Sequence, residues 1–67
     1  MITLHINGQM RQFPAPLNLV DLLENLELMG KRIAVEQNGE IVPKSRHAST
    51  PIQDGDCLEI VVAVGGG

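Results

Sequence analysis

The segment ITLHINGQMRQF at residues 2–13 decides how the fold begins, because it predicts two antiparallel strands joined by a tight turn. Apolar and polar residues alternate over residues 2–6, which is the period of a strand with one buried face. Asn7-Gly8 follows, and both residues tolerate positive φ, so the pair favours a two-residue hairpin turn. The returning strand should then cover residues 9–13, with Met10 directed inward.

A helix is expected after this hairpin, because four leucines recur at helical spacing between residues 19 and 26. Asn18 is placed to cap it, and Asp21 lies in its first turn, near the positive end of the helix dipole. Gly30 is the expected stop, which gives a helix of about ten residues that must pack across a sheet to be stable.

The rest of the chain predicts a second hairpin and one last strand. Residues 33–42 repeat the strand pattern around Asn38-Gly39 and end at Pro43. Residues 44–50 are polar, with room for one helical turn, and the Asp54-Gly55-Asp56 sequence marks a tight turn. Beyond it, Leu58, Ile60 and Val62, continuing to Val64, define the inward face of the final strand.

This order of elements predicts an α+β fold of the β-grasp (ubiquitin-like) type. The first and last strands should lie parallel at the centre of the sheet, since the long connection between them supplies the crossover that parallel strands need. We expect a mixed sheet of about four to five strands wrapped on one main helix. Residues 1–64 would form a single domain, and residues 65–67 a flexible glycine tail.

Composition excludes several classes of function. The 67 residues carry a net charge of −3 and a single aromatic residue, so neither a basic stripe nor a stacking platform for nucleic acid is present. One cysteine cannot form an internal disulfide, and no metal-ligand spacing or glycine-rich phosphate loop occurs. No apolar run is long enough for a membrane span, and no signal segment is seen. We therefore expect a cytoplasmic protein with a protein partner and no bound cofactor or metal.

Three side chains could support enzymatic chemistry, but their predicted positions do not. His5 falls on the outward face of the first strand, and His47 falls in a polar loop, so both should be solvated. Cys57 begins the last strand at an outward position beside Asp56, whose negative charge opposes formation of a thiolate. Because no base is expected within reach of the cysteine, we expect no catalytic residue of the protein's own.

The glycine run Gly65-Gly66-Gly67 is the strongest indication of function. It follows an apolar strand and forms a slim segment whose α-carboxylate, at Gly67, could enter a narrow channel. An ionised carboxylate is a poor electrophile, so an external enzyme would have to activate it as a mixed anhydride with AMP. A sulfide equivalent could then convert the activated group to a thiocarboxylate, a competent sulfur nucleophile.

Two segments carry a specific resemblance. The run IAVEQNGEIVP at residues 33–43 resembles the central segment of the thiamine-biosynthesis sulfur carrier (ThiS) family. The DGD turn at residues 54–56, the run LEIV at residues 58–61 and the terminal glycines resemble that family's end, and the similarity spans the chain without insertion. Cys57 departs from the family pattern, in which a polar residue is expected.

This resemblance implies a pathway and a set of partners. An E1-like adenylyltransferase would use ATP to form a transient glycyl-adenylate at Gly67. A sulfur donor of the cysteine desulfurase or rhodanese type would then supply the sulfur of a C-terminal 1-thioglycine. Thiazole synthase would receive that sulfur during assembly of the thiamine thiazole ring. The protein itself would be a co-substrate and not an enzyme.

Outward residues of the last strand predict where such partners bind. If Leu58 and Ile60 point inward, Val61 and Ala63 are exposed apolar residues that lead to the glycine tail. Together with His5 on the neighbouring strand, they form the expected docking patch.

Other functions share these features. The small subunit of molybdopterin synthase and carriers for tRNA thiolation use the same chemistry. A ubiquitin-like modifier would form isopeptide bonds with lysines through the same carboxylate. A binding module without tail chemistry would tolerate loss of the glycines.

Overall fold

The computed structural model describes residues 1–63 as a five-stranded mixed sheet with one α-helix and a separate two-stranded sheet. Residues 64–67, which include the end of the expected domain and the glycine tail, lie outside the described residues. The elements are β1 (Ile2–Ile6), β2 (Gln9–Phe13), β3 (Leu17–Asn18), α1 (Leu19–Asn25), β4 (Ile33–Gln37), β5 (Glu40–Val42), a 3₁₀-helix (Lys44–Ser49), β6 (Pro51–Ile52) and β7 (Cys57–Val62).

The large sheet has the order β2-β1-β7-β4-β5, in which β1 and β7 are parallel and the other pairs antiparallel. The two central strands are therefore the first and the last of the chain, as the element order predicts. Alternate residues of these strands face α1, so that Leu4 and Leu58 are almost completely buried. This arrangement is a β-grasp, and the predicted fold class is confirmed.

Both Asn-Gly turns form, and both also hold β7 in place. Asn7 and Asn38 have φ values of 51° and 53°, a conformation that asparagine tolerates better than most residues. The Asn7 amide donates to the Ile60 carbonyl at 3.0 Å and accepts from the Ile60 N–H at 2.8 Å. The Asn38 side-chain oxygen accepts from the Cys57 N–H at 2.9 Å. The two turn asparagines thus extend the hydrogen bonding of the last strand beyond the strand ladders.

Helix α1 begins as predicted and ends earlier. Asn18 and Asp21 form a reciprocal capping box, with the Asp21 N–H donating to the Asn18 side chain at 2.8 Å. The helix ends at Asn25, so the expectation of a ten-residue helix stopping at Gly30 is wrong. Glu27 adopts the left-handed conformation with φ 60°, and the Leu28 N–H donates back to the Leu23 carbonyl at 2.9 Å.

The helix ends early because Leu28 is partly buried against the core. The hydrogen bond from Leu28 to Leu23 is that of a Schellman motif, in which a left-handed residue reverses the chain after the last helical turn. Reversal at Glu27 brings Leu28 against the core, where it is partly buried. The apolar contact outweighs the cost of a non-glycine residue in the left-handed region.

Twelve apolar side chains form the core between the sheet and α1, contributed by every strand except β5 and by the helix: Ile2, Leu4, Ile6, Phe13, Leu17, Leu19, Leu22, Leu23, Val35, Ile52, Leu58 and Ile60. Met10 is not among them. Its side chain is 68% exposed, so the expectation that it points inward is wrong. Met10 pairs with His5, an outward position, because the turn sets the register of the hairpin.

The polar segment that follows Pro43 forms a 3₁₀-helix of six residues, about two turns, where one short helical turn was expected. His47 lies within it and is only 5% exposed, so the expectation of a solvated histidine is wrong at this position. Its Nε2 atom lies 3.1 Å from the Val42 carbonyl oxygen. A carbonyl can only accept, so the ring N–H donates and satisfies the buried imidazole. Pairing of β3 with β6 anchors the far end of this segment.

Candidate functional site

The candidate site lies where the chain leaves the sheet at the end of β7. Val62 is paired with Ile33, and beyond the strand the Ala63 N–H donates to the Arg32 carbonyl at 2.8 Å. The backbone is therefore held by β4 and the residue before it up to Ala63. Gly65, Gly66 and Gly67 lie beyond the described residues, and their predicted roles stay predictions.

The predicted phase of β7 is confirmed. Leu58 and Ile60 are buried, whereas Val61 is 61% exposed and Ala63 is exposed. Ala34, also exposed, lies directly opposite Val61 on β4, so the exposed apolar surface at this end of the sheet includes a residue of a second strand. Val61, Ala63 and Ala34 are from here on called the exit patch.

His5 is not beside the exit patch. It pairs with Cys57, four residues before Val61, which corresponds to about 13 Å along the strand at the usual rise of 3.3 Å per residue. The expected grouping of His5 with Val61 and Ala63 is therefore spread over the length of the sheet face. Docking by His5 stays a prediction, for a partner broad enough to cover that face.

The pairing of His5 with Cys57 was missed by sequence reasoning, which placed no base near the thiol. Residues paired in a parallel ladder project to the same side, so an imidazole and a thiol are neighbours on the outward face. Within residues 1–63, the side-chain hydrogen bonds of these strands include none between the two groups. Only the register of two strands more than fifty positions apart in sequence could have revealed this pair.

The carboxylate of Asp56, in the turn before β7, serves the fold. Asp56 accepts hydrogen bonds from the Gln53 N–H and from the side-chain amides of Asn38 and Gln37, at 2.9 Å, 3.0 Å and 2.9 Å. Burial raises the pKa of Asp56, but these three hydrogen bonds outweigh it and hold the pKa below the ordinary 3.8. The ionised Asp56 side chain therefore stabilises the turn before β7. Glu36 and Glu59 lie directly opposite each other and make the centre of the face negative.

No described residues are grouped as a metal site would require: residues 1–63 contain no cluster of three or more His, Cys, Asp or Glu side chains able to hold an ion. Within the same part of the chain, no helix has the length and apolar character needed to cross a bilayer.

Comparison with known proteins identifies the family. The sequence profile of the ThiS family matches residues 4–67, which include the glycine run. The chain belongs to the ThiS family. The resemblance inferred from residues 33–43 and from the glycine-ended strand is thereby confirmed for nearly the whole sequence.

Individual relatives agree with this assignment. The ThiS-family chain is 45% identical to the sulfur carrier protein ThiS of Bacillus subtilis over 47 residues, covering 70% of this chain and 71% of that protein. The crystal structure of the thiamine biosynthesis protein ThiS from Geobacter metallireducens superposes with a TM-score of 0.84 at 30% identity, covering 98% of this chain and 100% of that one.

A longer relative is also similar. A thiazole synthase of Paramagnetospirillum magneticum is 48% identical over 62 residues, which are 92% of this chain but only 19% of that protein. The chain thus spans about a fifth of the length of the thiazole synthase that it matches.

Proposed function

We propose that this protein is a sulfur carrier of thiamine biosynthesis that holds the transferred sulfur as a thiocarboxylate at Gly67. The observation that supports this most directly is the match of the ThiS family over residues 4–67, because it extends through the glycine run. A fold with a firmly paired last strand leading to glycines suits a protein that presents its own terminus to other enzymes.

The chemistry has two steps at the Gly67 carboxylate. In the first, a carboxylate oxygen attacks the α-phosphorus of ATP, pyrophosphate leaves, and an acyl-adenylate results. In the second, hydrosulfide, released from the donor's persulfide by a thiol reductant that is oxidised to a disulfide, attacks the carbonyl carbon, a C–S bond forms, and the C–O bond to AMP breaks. The product is a thiocarboxylate whose sulfur can attack a carbonyl or imine carbon in the acceptor's site.

None of these steps needs a catalytic group from the described part of the chain. An E1-like adenylyltransferase would bind ATP, and a cysteine desulfurase or rhodanese-type protein would provide the sulfur. The exit patch would hold the folded body against the adenylyltransferase or thiazole synthase while the glycines reach the reaction centre. The protein then acts in the cytoplasm as a co-substrate that is regenerated after each transfer.

The acceptor that we propose is thiazole synthase. The relative of that name in Paramagnetospirillum magneticum contains a segment 48% identical to this chain within one polypeptide. Joining a carrier to its acceptor in a single chain raises their effective concentration, which is useful only if the two act together.

Mass spectrometry of the intact protein tests the proposal. The chain with a free Gly67, incubated with the adenylyltransferase, ATP and a sulfur source, should gain the mass of one oxygen-to-sulfur exchange. Deletion of Gly67, or a peptide fused after it, should abolish this shift and the formation of thiazole. The same peptide fused before Met1, which is 84% exposed, is the matched control and should leave transfer intact.

The possible outcomes separate the rival functions. Full sulfur transfer by the protein blocked after Gly67 would refute the assignment of the carrier site. Thiocarboxylate formation without thiazole formation would point to another sulfur pathway. A ladder of conjugates with other proteins would indicate a ubiquitin-like modifier instead.

A further inference from the structure

A cavity of the described chain lies on the helix side of the sheet, between α1, the segment that follows it and the 3₁₀-helix. It has a volume of about 420 Å³, and its walls include Val20, Leu23, Leu28 and Ile33. A space of this size accommodates one or two large apolar side chains. We call this opening the basic groove.

The cations of the chain are concentrated around this groove. The protein has only five lysine and arginine residues and a net charge of −3. Lys31, Arg32 and Lys44 line the groove, so three of these five surround a single opening. Within residues 1–63, the side chains of Lys31, Arg32 and Lys44 donate no hydrogen bond. The fold therefore does not use these charges to satisfy its own acceptors there.

The basic groove adjoins the candidate site. Arg32 lines the groove, and its carbonyl oxygen accepts a hydrogen bond from the Ala63 N–H at 2.8 Å. Ile33, another wall residue, pairs with Val62 in the sheet. A molecule seated in the groove would thus touch the residues that hold the chain end, on the side of the sheet opposite to Val61.

We propose that the basic groove binds an acidic segment of thiazole synthase that inserts an apolar side chain between the cations. An apolar floor with charges confined to the rim is the pattern of a protein interface, whose core is apolar and whose edge is polar. Opposite charge around the rim would orient the segment and speed the encounter of the two proteins. The inference rests on the proposed function, since that function supplies the partner.

Charge reversal tests this with the full chain and purified thiazole synthase. Lys31→Glu and Lys44→Glu should each raise the dissociation constant about tenfold or more at low salt, because each places a like charge against the acidic segment. Arg11→Glu is the matched control, since it changes the net charge equally from a site on β2 that does not line the groove. It should change the affinity by no more than about twofold, in keeping with screening of distant surface charges.

A second variant examines the apolar part of the groove. Met29 lines the groove and is 54% exposed, so Met29→Glu should keep the fold and still weaken binding. Thermal unfolding of each variant checks that the fold is retained. Raising the NaCl concentration should weaken binding of the wild type more steeply than binding of Lys31→Glu.

The outcomes distinguish the groove from the function. If the wild type binds thiazole synthase and the groove variants bind equally well, the groove assignment is overturned and the carrier function stands. If the groove variants lose affinity only for the adenylyltransferase, or lose only self-association in sedimentation, the occupant is a different one and the proposal is wrong. If the wild type binds thiazole synthase in no assay, the proposed function fails together with the groove.

Discussion

Substitution Val61→Asp probes the exit patch most directly, because Val61 is exposed and lies two residues before the last described position. Full burial of a valine is worth about 1.5–3 kcal/mol, and this side chain is 61% exposed, so removing its apolar contacts should cost about 1 kcal/mol. The low β-propensity of aspartate adds up to about 1 kcal/mol. We therefore expect the free energy of unfolding to fall by about 1–2 kcal/mol.

The substitution should weaken partner binding more than it lowers the free energy of unfolding. An aspartate buried against an apolar partner surface must lose its hydration without a compensating hydrogen bond. A central interface residue of this kind typically contributes about 1–3 kcal/mol, which corresponds to about a 5- to 150-fold rise in the dissociation constant. Calorimetric titration of thiazole synthase and of the adenylyltransferase, beside urea denaturation of the free protein, measures both quantities on one variant.

Two control variants are compared with Val61→Asp. Val61→Thr keeps the branched shape without a charge and should change affinity only a few fold. Met10→Asp introduces the same charge at another residue of the outward face, 68% exposed and paired with His5 at the opposite end. A loss of more than about 3 kcal/mol of stability in Val61→Asp would mean that the side chain is buried in the free protein. Unchanged stability with unchanged affinity would place the docking surface elsewhere.

Two further predictions concern Cys57, the first residue of β7, and Asn7, which is hydrogen-bonded to that strand. Cys57→Ser should retain thiocarboxylate formation and transfer within a few fold, because the proposed carrier of the reacting sulfur is Gly67; loss of transfer in a folded Cys57→Ser protein would assign the Cys57–His5 pair a role in the chemistry. Asn7→Gly keeps the positive φ of the turn but removes both hydrogen bonds to Ile60, so urea denaturation should show a loss of about 1–3 kcal/mol. Asn7→Ala should lose more, because alanine also strains at φ 51°; equal stability of the wild type and Asn7→Gly would mean that water replaces the side chain without cost.

Local signals in the chain were sufficient for most of the fold. The alternation of residues 2–6, the two Asn-Gly pairs and the capping residue Asn18 each act within a few positions, so their structures follow from short-range sterics and hydrogen bonding. The inward phase of β7 follows from the same alternation, and so does the exposure of Val61. The family could also be predicted from the sequence, because the motifs at residues 33–43 and at the glycine end keep their order and spacing.

What the local signals could not supply was decided by packing between distant segments. Helix α1 stops at Asn25 because Leu28 reaches the core only if the chain reverses at Glu27. His47 is buried because the Val42 carbonyl offers its ring N–H a partner.

Sequence alone therefore indicated the fold and the family, a β-grasp protein of the ThiS family, since periodicity, turn chemistry and motif spacing are properties of neighbouring residues. Tertiary structure decided which distant side chains meet. The His5–Cys57 pair depends on the register of β1 against β7, and the basic groove on bringing Lys31 and Arg32 beside Lys44. The physical reason is that hydrophobic burial is non-directional and brings together residues that are far apart in the sequence. Which of these residues meet is decided only when all the elements pack together.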